Sequence, residues 1–213
     1  GLIMNYKTRE STTEHIVDHI SEDVILENAY DNHHVTKVHS STTKDVSRIY
    51  ENGNVSIIQY ELYKFPGIKF LKNFTQKFIA IKITSEKDVQ FYSTPCNFDF
   101  VSKNIINCEQ LENNKIKYIS KFYFKPMNLF FGLLSPLVMF LRNKGEKKRL
   151  QEDQMLWRLR QKSKDENFKD TRSCVTTKEK ILINEWFPGS KIKVTDLFHL
   201  FNENNKDKIN KNN

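Results

Sequence analysis

Glycine and proline are scarce in this chain, six and five in 213 residues. That excludes collagen-like repeats and the Pro/Gly-rich composition of many disordered proteins. Cysteine is scarcer and odd in number, and Cys96, Cys108 and Cys174 lie far apart. No disulfide framework follows from such spacing, so free thiols in a reducing, cytoplasmic setting are expected. No apolar run reaches the ~20 residues that cross a bilayer. The longest, residues 129–141, is interrupted by Gly132, Ser135 and Pro136 and reads as a buried helix or an interfacial membrane contact. Residues 1–10 lack the apolar stretch of a secretory signal. Also missing are a glycine-rich dinucleotide fingerprint and any recognised nucleic-acid motif. The net charge of +8 is therefore read without a nucleic-acid partner, since its lysines are scattered among asparagines.

Aromatic residues, by contrast, are plentiful, with sixteen phenylalanines and 12% aromatic content. That supply suits one domain with a sizeable core. The expected organisation is a flexible segment over 1–10, a single domain over 11–202 and a flexible polar tail over 203–213.

Residues 11–20 carry Ile16, Val17 and Ile20, with His15 and His19 four apart, which is helical spacing. Ser21, Glu22 and Asp23 then form a capping signal for a second helix. From Lys44 the apolar period changes to two. Residues 45–50 and 54–63 flank a Glu51-Asn52-Gly53-Asn54 turn, 77–84 and 89–94 make a second hairpin, and 98–106 and 115–124 are extended. Residues 127–161 predict a long helix, or two meeting at Pro136. A short apolar segment at 180–187 and a short helix at 196–201 complete the chain.

Helix, antiparallel meander and long C-terminal helix together predict an α+β, helix-grip (START/SRPBCC-like) fold, a curved sheet wrapped around one helix. Such a fold holds hydrophobic ligands between sheet and helix. Ile57, Tyr60, Phe78 and Phe91 are pocket candidates, and equally core.

The densest chemistry lies in residues 27–39, which hold three of the six histidines. If 22–38 were one helix, Asp31 and His34 would share a face. The string Glu27-Asn28-x-x-Asp31-x-x-His34-x-x-x-x-His39 resembles, at five positions with unaltered spacing, the mononuclear-iron motif of Rieske-type ring-hydroxylating oxygenases. That resemblance implies His34 and His39 as Fe(II) ligands, Asp31 as a carboxylate orienting one of them, and Asn28 lining the site. The segment Gln151-Glu152-Asp153-Gln154-Met155-Leu156-Trp157 resembles the family's acidic-pair segment, with Asp153 as third ligand and Glu152 in reserve. Asp153 also shares a helical face with Leu150 and Trp157, where an unpaired carboxylate would be costly.

No cysteine of this chain has the Cys-x-His or Cys-x-x-His spacing of a Rieske cluster. The resemblance therefore implies an Fe(II) oxygenase acting on an aromatic, sterol-like or lipid substrate, with electrons supplied in trans. The donor would be a Rieske or ferredoxin-type protein with its reductase, the basic surface would suit an acidic carrier, and a trimer or hetero-complex is expected. On this view the chain is a split subunit, a fragment, or a relative fed from elsewhere. The alternative is a helix-grip carrier of a hydrophobic ligand, which needs no electrons.

Overall fold

The computed structural model describes residues 6–32, 35, 39, 41–52, 54–64 and 69–165. Within them, seven strands form one antiparallel sheet: β1 (Arg9–Asp18), β2 (Thr43–Asn52), β3 (Val55–Tyr63), β4 (Thr75–Thr84), β5 (Asp88–Pro95), β6 (Phe100–Gln110) and β7 (Lys115–Pro126). Their order across the sheet is β1-β7-β6-β5-β4-β3-β2. Helix α1 (Glu22–Tyr30) follows β1, and α2 (Leu129–Asp165) follows β7. This is the helix-grip architecture expected from the sequence. The segments expected at 180–187 and 196–201, and the tail over 203–213, lie outside the described residues.

Residues 11–20 are a strand and not a helix. β1 pairs with β7 from Arg9↔Phe124 to Asp18↔Lys115, so the β-branched side chains of Thr12, Thr13, Ile16 and Val17 meet a partner strand. Alternation sends Ser11, His15 and Val17 to the face carrying Tyr118 and Phe122. His15 accordingly accepts a 2.8 Å bond from Gln154, whereas His19 leaves the strand at φ 56° and donates its amide to Asn114. The two imidazoles are thus not a helical pair. Periodicity misled here because a short run of Ile and Val fits both templates.

Helix α1 ends at Tyr30, far short of residue 38, because Asp31 is already extended at ψ 124°. The side chain of its expected cap, Ser21, makes no capping bond; the Ser21 amide and hydroxyl both donate to Gln161 of α2 at 2.8 Å. Lys164 adds an ion pair to Asp23 at 2.5 Å. α1 buries Ile25 and Leu26 completely, each contributing about 1.5–3 kcal/mol of apolar burial.

α2 is continuous through Pro136. The Gly132 carbonyl, which residue 136 of an ordinary helix would engage, instead accepts the Ser135 hydroxyl at 2.9 Å. The orphan acceptor is satisfied locally, so the helix does not break. Tyr118 packs 5.5 Å from Trp157 and the Arg142 guanidinium lies 4.3 Å over the Phe122 ring. These contacts fix the helix on one face of β7.

Candidate functional site

Strand register decides which side chains face the helices. Phe78, Ala80, Lys82 and Thr84 alternate to one face of β4, opposite Tyr60, Ile58 and Ser56 on β3 and Pro95, Ser93, Phe91 and Val89 on β5. Tyr60 stacks on Phe78 at 5.1 Å and bonds Ser93 at 2.5 Å, and the aromatic wall continues through Phe100 to Phe124 and Phe131. Ile57, paired with Ile81, points to the opposite face of the sheet.

Lys82 sits in the middle of this inward face, 4% exposed. Its ammonium lies 4.9 Å over the Phe91 ring and makes a long 3.4 Å bond to the Ala29 carbonyl. Burial pushes it down to about 8, although Asp31, Asp153 and Glu51 pull the other way. Sequence reasoning passed over Lys82, but a signal was there: it is the one cation at an inward position of a strand otherwise reading Phe78, Ala80, Thr84.

Beside Lys82 the motif residues gather on α2. His39 bonds Glu152 through Nδ1 at 2.6 Å and approaches Asp153 through Nε2 at 3.3 Å. Asn28 donates to Asp153 at 3.2 Å, while its own amide oxygen is buried without a partner. Asp31 pairs with Arg160 of α2. Leu150, Asp153 and Trp157 share the face of α2 turned to the sheet, with Leu150 and Trp157 buried. His33 and His34 lie outside the described residues.

Both ring nitrogens of His39 are thereby held by carboxylates. Burial opposes protonation of the ring, but the bonds to Asp153 and Glu152 outweigh it and raise the pKa. The ring thus lies between two carboxylates, Glu152 at Nδ1 and Asp153 at Nε2, which favour its protonated form. Among the described residues no group of three or more His, Cys, Asp or Glu side chains is arranged to hold a metal ion.

A raised folded-state pKa stabilises the protein at pH values below the unfolded histidine value of about 6.5, and that stability is lost as pH rises through the folded value. Melting of the parent should fall more steeply than melting of His39→Gln as pH rises above about 6.5. Parallel pH profiles for the two proteins would show that these bonds carry no proton linkage.

A second charged cluster was also missed. Glu146, 5% exposed, meets Arg149 at 2.8 Å and Arg142 at 3.5 Å and accepts the Tyr118 hydroxyl at 3.1 Å. Arg142 further donates to Ser120 and Asn104. The spacing Arg142-x-x-x-Glu146-x-x-Arg149 is the legible part, since i, i+4 and i+3 partners share one helix face.

No protein-family model and no curated protein matches the chain by sequence. Solved structures do share its fold. The protein TTHA0849 from Thermus thermophilus aligns with a TM-score of 0.53 at 13% identity over 68% of this chain and 93% of its own. A truncated norcoclaurine synthase from Thalictrum flavum aligns at 0.52 and 12% identity, over 72% and 96%. Ara h 8.0201 aligns at 0.52 and 6% identity, over 70% and 97%.

These neighbours overturn the Rieske-oxygenase resemblance, and with it the reading of the chain as an iron oxygenase: they are helix-grip proteins of other kinds and not oxygenase catalytic domains. The physical reason is that five matching positions in a short, polar segment specify a local string and not a site. Asp31 here is spent on Arg160 and His39 on two carboxylates.

Proposed function

We propose that this chain binds or carries a hydrophobic small molecule between the sheet and its helices, with Lys82 meeting an acceptor oxygen of that ligand. The supporting observation is Lys82 itself. A cation buried among Phe91, Ala80 and Ser93, with no carboxylate within hydrogen-bonding range among the described residues, costs the fold stability. Perturbed groups of this kind concentrate at sites of binding or chemistry. The stacked Tyr60 and Phe78 rings and the Phe100 ring beyond them offer apolar contact for the rest of the ligand.

The test uses cis-parinaric acid, a fluorescent fatty acid, and its methyl ester. The parent chain should bind the acid saturably. Lys82→Met should weaken the acid about tenfold, the loss of roughly one charge-assisted bond, and leave the ester unchanged. Phe78→Ala should weaken both probes. Absence of saturable binding by the parent chain would refute the carrier reading. Equal affinity of parent and Lys82→Met for the acid would remove Lys82 from the ligand contact.

The Lys82 value also favours a second reading. Near pH 8 about half of such a lysine is a neutral amine, able to accept a proton from a bound substrate. A ligand turned over with a rate that rises through pH 8, and lost in Lys82→Met, would decide for it.

A further inference from the structure

Between residues 129 and 141 of α2, six large apolar side chains are more than half exposed: Leu129, Phe130, Leu133, Leu137, Phe140 and Leu141. At 100° per residue they fall within an arc of about 120°, on the side of the helix opposite Ser135, Met139 and Arg142. Isolated exposed leucines need no explanation, but a contiguous stripe over three turns does. The next turn of the same arc carries Lys144, Lys147 and Lys148, all exposed. A groove of about 220 Å³ opens beside the start of the stripe, lined by Lys7 and Arg9 together with Tyr6, Leu129 and Leu133. Arg9 is anchored there by a 3.2 Å bond to Ser135.

We propose that residues 129–148 of α2 dock this protein on an anionic membrane surface, the apolar stripe entering the acyl boundary and the lysines meeting the headgroups. Apolar side chains of an interfacial helix bury at the acyl boundary, and lysines at an anionic surface add to binding in proportion to their number. Here both lie on one exposed arc, the apolar residues first and the lysines beyond them. Charge selects this occupant over a second copy of the chain. Two copies packed stripe to stripe would bring the lysines together if parallel, or set them against the Lys7 and Arg9 end of the partner's stripe if antiparallel, on a protein already at +8. The groove with Lys7 and Arg9 gives a lipid phosphate a place at the end of the stripe where the helix begins. No helix among the described residues is long and apolar enough to cross the membrane, so the contact is peripheral. This inference is independent of the ligand reading, since the stripe lies on the outer face of α2.

The experiment is flotation of the full chain with vesicles of phosphatidylcholine alone and of phosphatidylcholine mixed with phosphatidylserine. Binding to the mixed vesicles, weak binding to the neutral ones, and release by high salt are expected. Leu133→Glu/Leu137→Glu should reduce binding at least tenfold. Lys144→Glu/Lys147→Glu/Lys148→Glu should reduce it comparably on anionic vesicles and leave the neutral ones unchanged. All five positions are exposed, and thermal melts of the variants should match the parent. Failure to float with anionic vesicles, or equal flotation of parent and both variants, would overturn the proposal. So would a concentration-dependent dimer that Leu133→Glu/Leu137→Glu dissolves in the absence of any vesicle binding.

Discussion

Lys82→Met should melt roughly 5–10 °C above the parent protein at pH 7. A lysine whose pKa falls from 10.5 to about 8 on folding holds its charge in the folded state at a cost of about 3 kcal/mol at neutral pH. Methionine keeps the length and apolar stem, fills the same space over Phe91 and leaves no charge to desolvate. Against this gain stand a 3.4 Å bond to the Ala29 carbonyl, the contact with the Phe91 ring and the attraction of Asp31, Asp153 and Glu51. The pH dependence has a definite sign. Between 8 and 10.5 the unfolded chain holds more protons than the folded one, so the parent gains stability as pH rises. The advantage of Lys82→Met is therefore complete below pH 8 and fades towards pH 10.5. Melting curves of both proteins from pH 7 to 10 measure it. A destabilised Lys82→Met would mean that the ammonium is satisfied where it lies, and that the fold and not a ligand explains it. Stabilisation with loss of the fatty-acid probe is the pattern of a site that trades stability for binding.

The meander was legible because alternation and turn chemistry agree there. The hairpins of β2 with β3, β4 with β5 and β6 with β7 sit where Asn-Gly, Ser-Glu-Lys-Asp and Glu-Asn-Asn lie in the sequence, and Asn113 and Asn114 take φ 59° and 57° as a tight turn asks of asparagine. β1 was not legible. Its partner β7 lies about a hundred residues on, and nothing in a run of Thr, Ile and Val says that a closing strand waits there. Tertiary pairing decided against local spacing. For α2 the doubt lay at Pro136, and a single hydroxyl on Ser135 removed it.

The candidate site divides in the same way. The 3.3 Å approach of His39 to Asp153 joins two residues that a local string and a helical face had singled out separately. What that approach means could not be read from either. Which partner each ring nitrogen of His39 takes, Glu152 at one and Asp153 at the other, depends on a tertiary placement that neither segment contains. Lys82 and Glu146 escaped because a charge is ordinarily taken as a solvated face, and only the register of β4 and the seat of α2 turn these two inward. Electrostatic cost, invisible in a string of letters, is what marks them.

Glu146→Leu carries the other large effect, a loss of about 3–5 kcal/mol. The carboxylate is buried between Arg142 and Arg149 and accepts the Tyr118 hydroxyl. Burial would raise its pKa, but the two guanidinium groups outweigh that and hold the carboxyl below its usual range. Stability from this group is therefore present above the ordinary carboxylate value and is lost as pH falls through the depressed one. Removing the carboxylate alone leaves Arg142, whose side chain is only 9% exposed, charged in the interior with Ser120, Asn104 and the Phe122 ring as its remaining company. Arg149, 44% exposed, can turn to water and needs no rescue. The second substitution should thus fall on Arg142. Arg142→Met/Glu146→Leu is expected to recover most of the stability lost in Glu146→Leu, because an apolar pair of similar volume replaces an ion pair at little net cost. Chemical denaturation of the four proteins in this cycle gives the coupling between the two positions directly. A double variant as unstable as Glu146→Leu would place the loss in packing around Tyr118 and not in the stranded charge of Arg142.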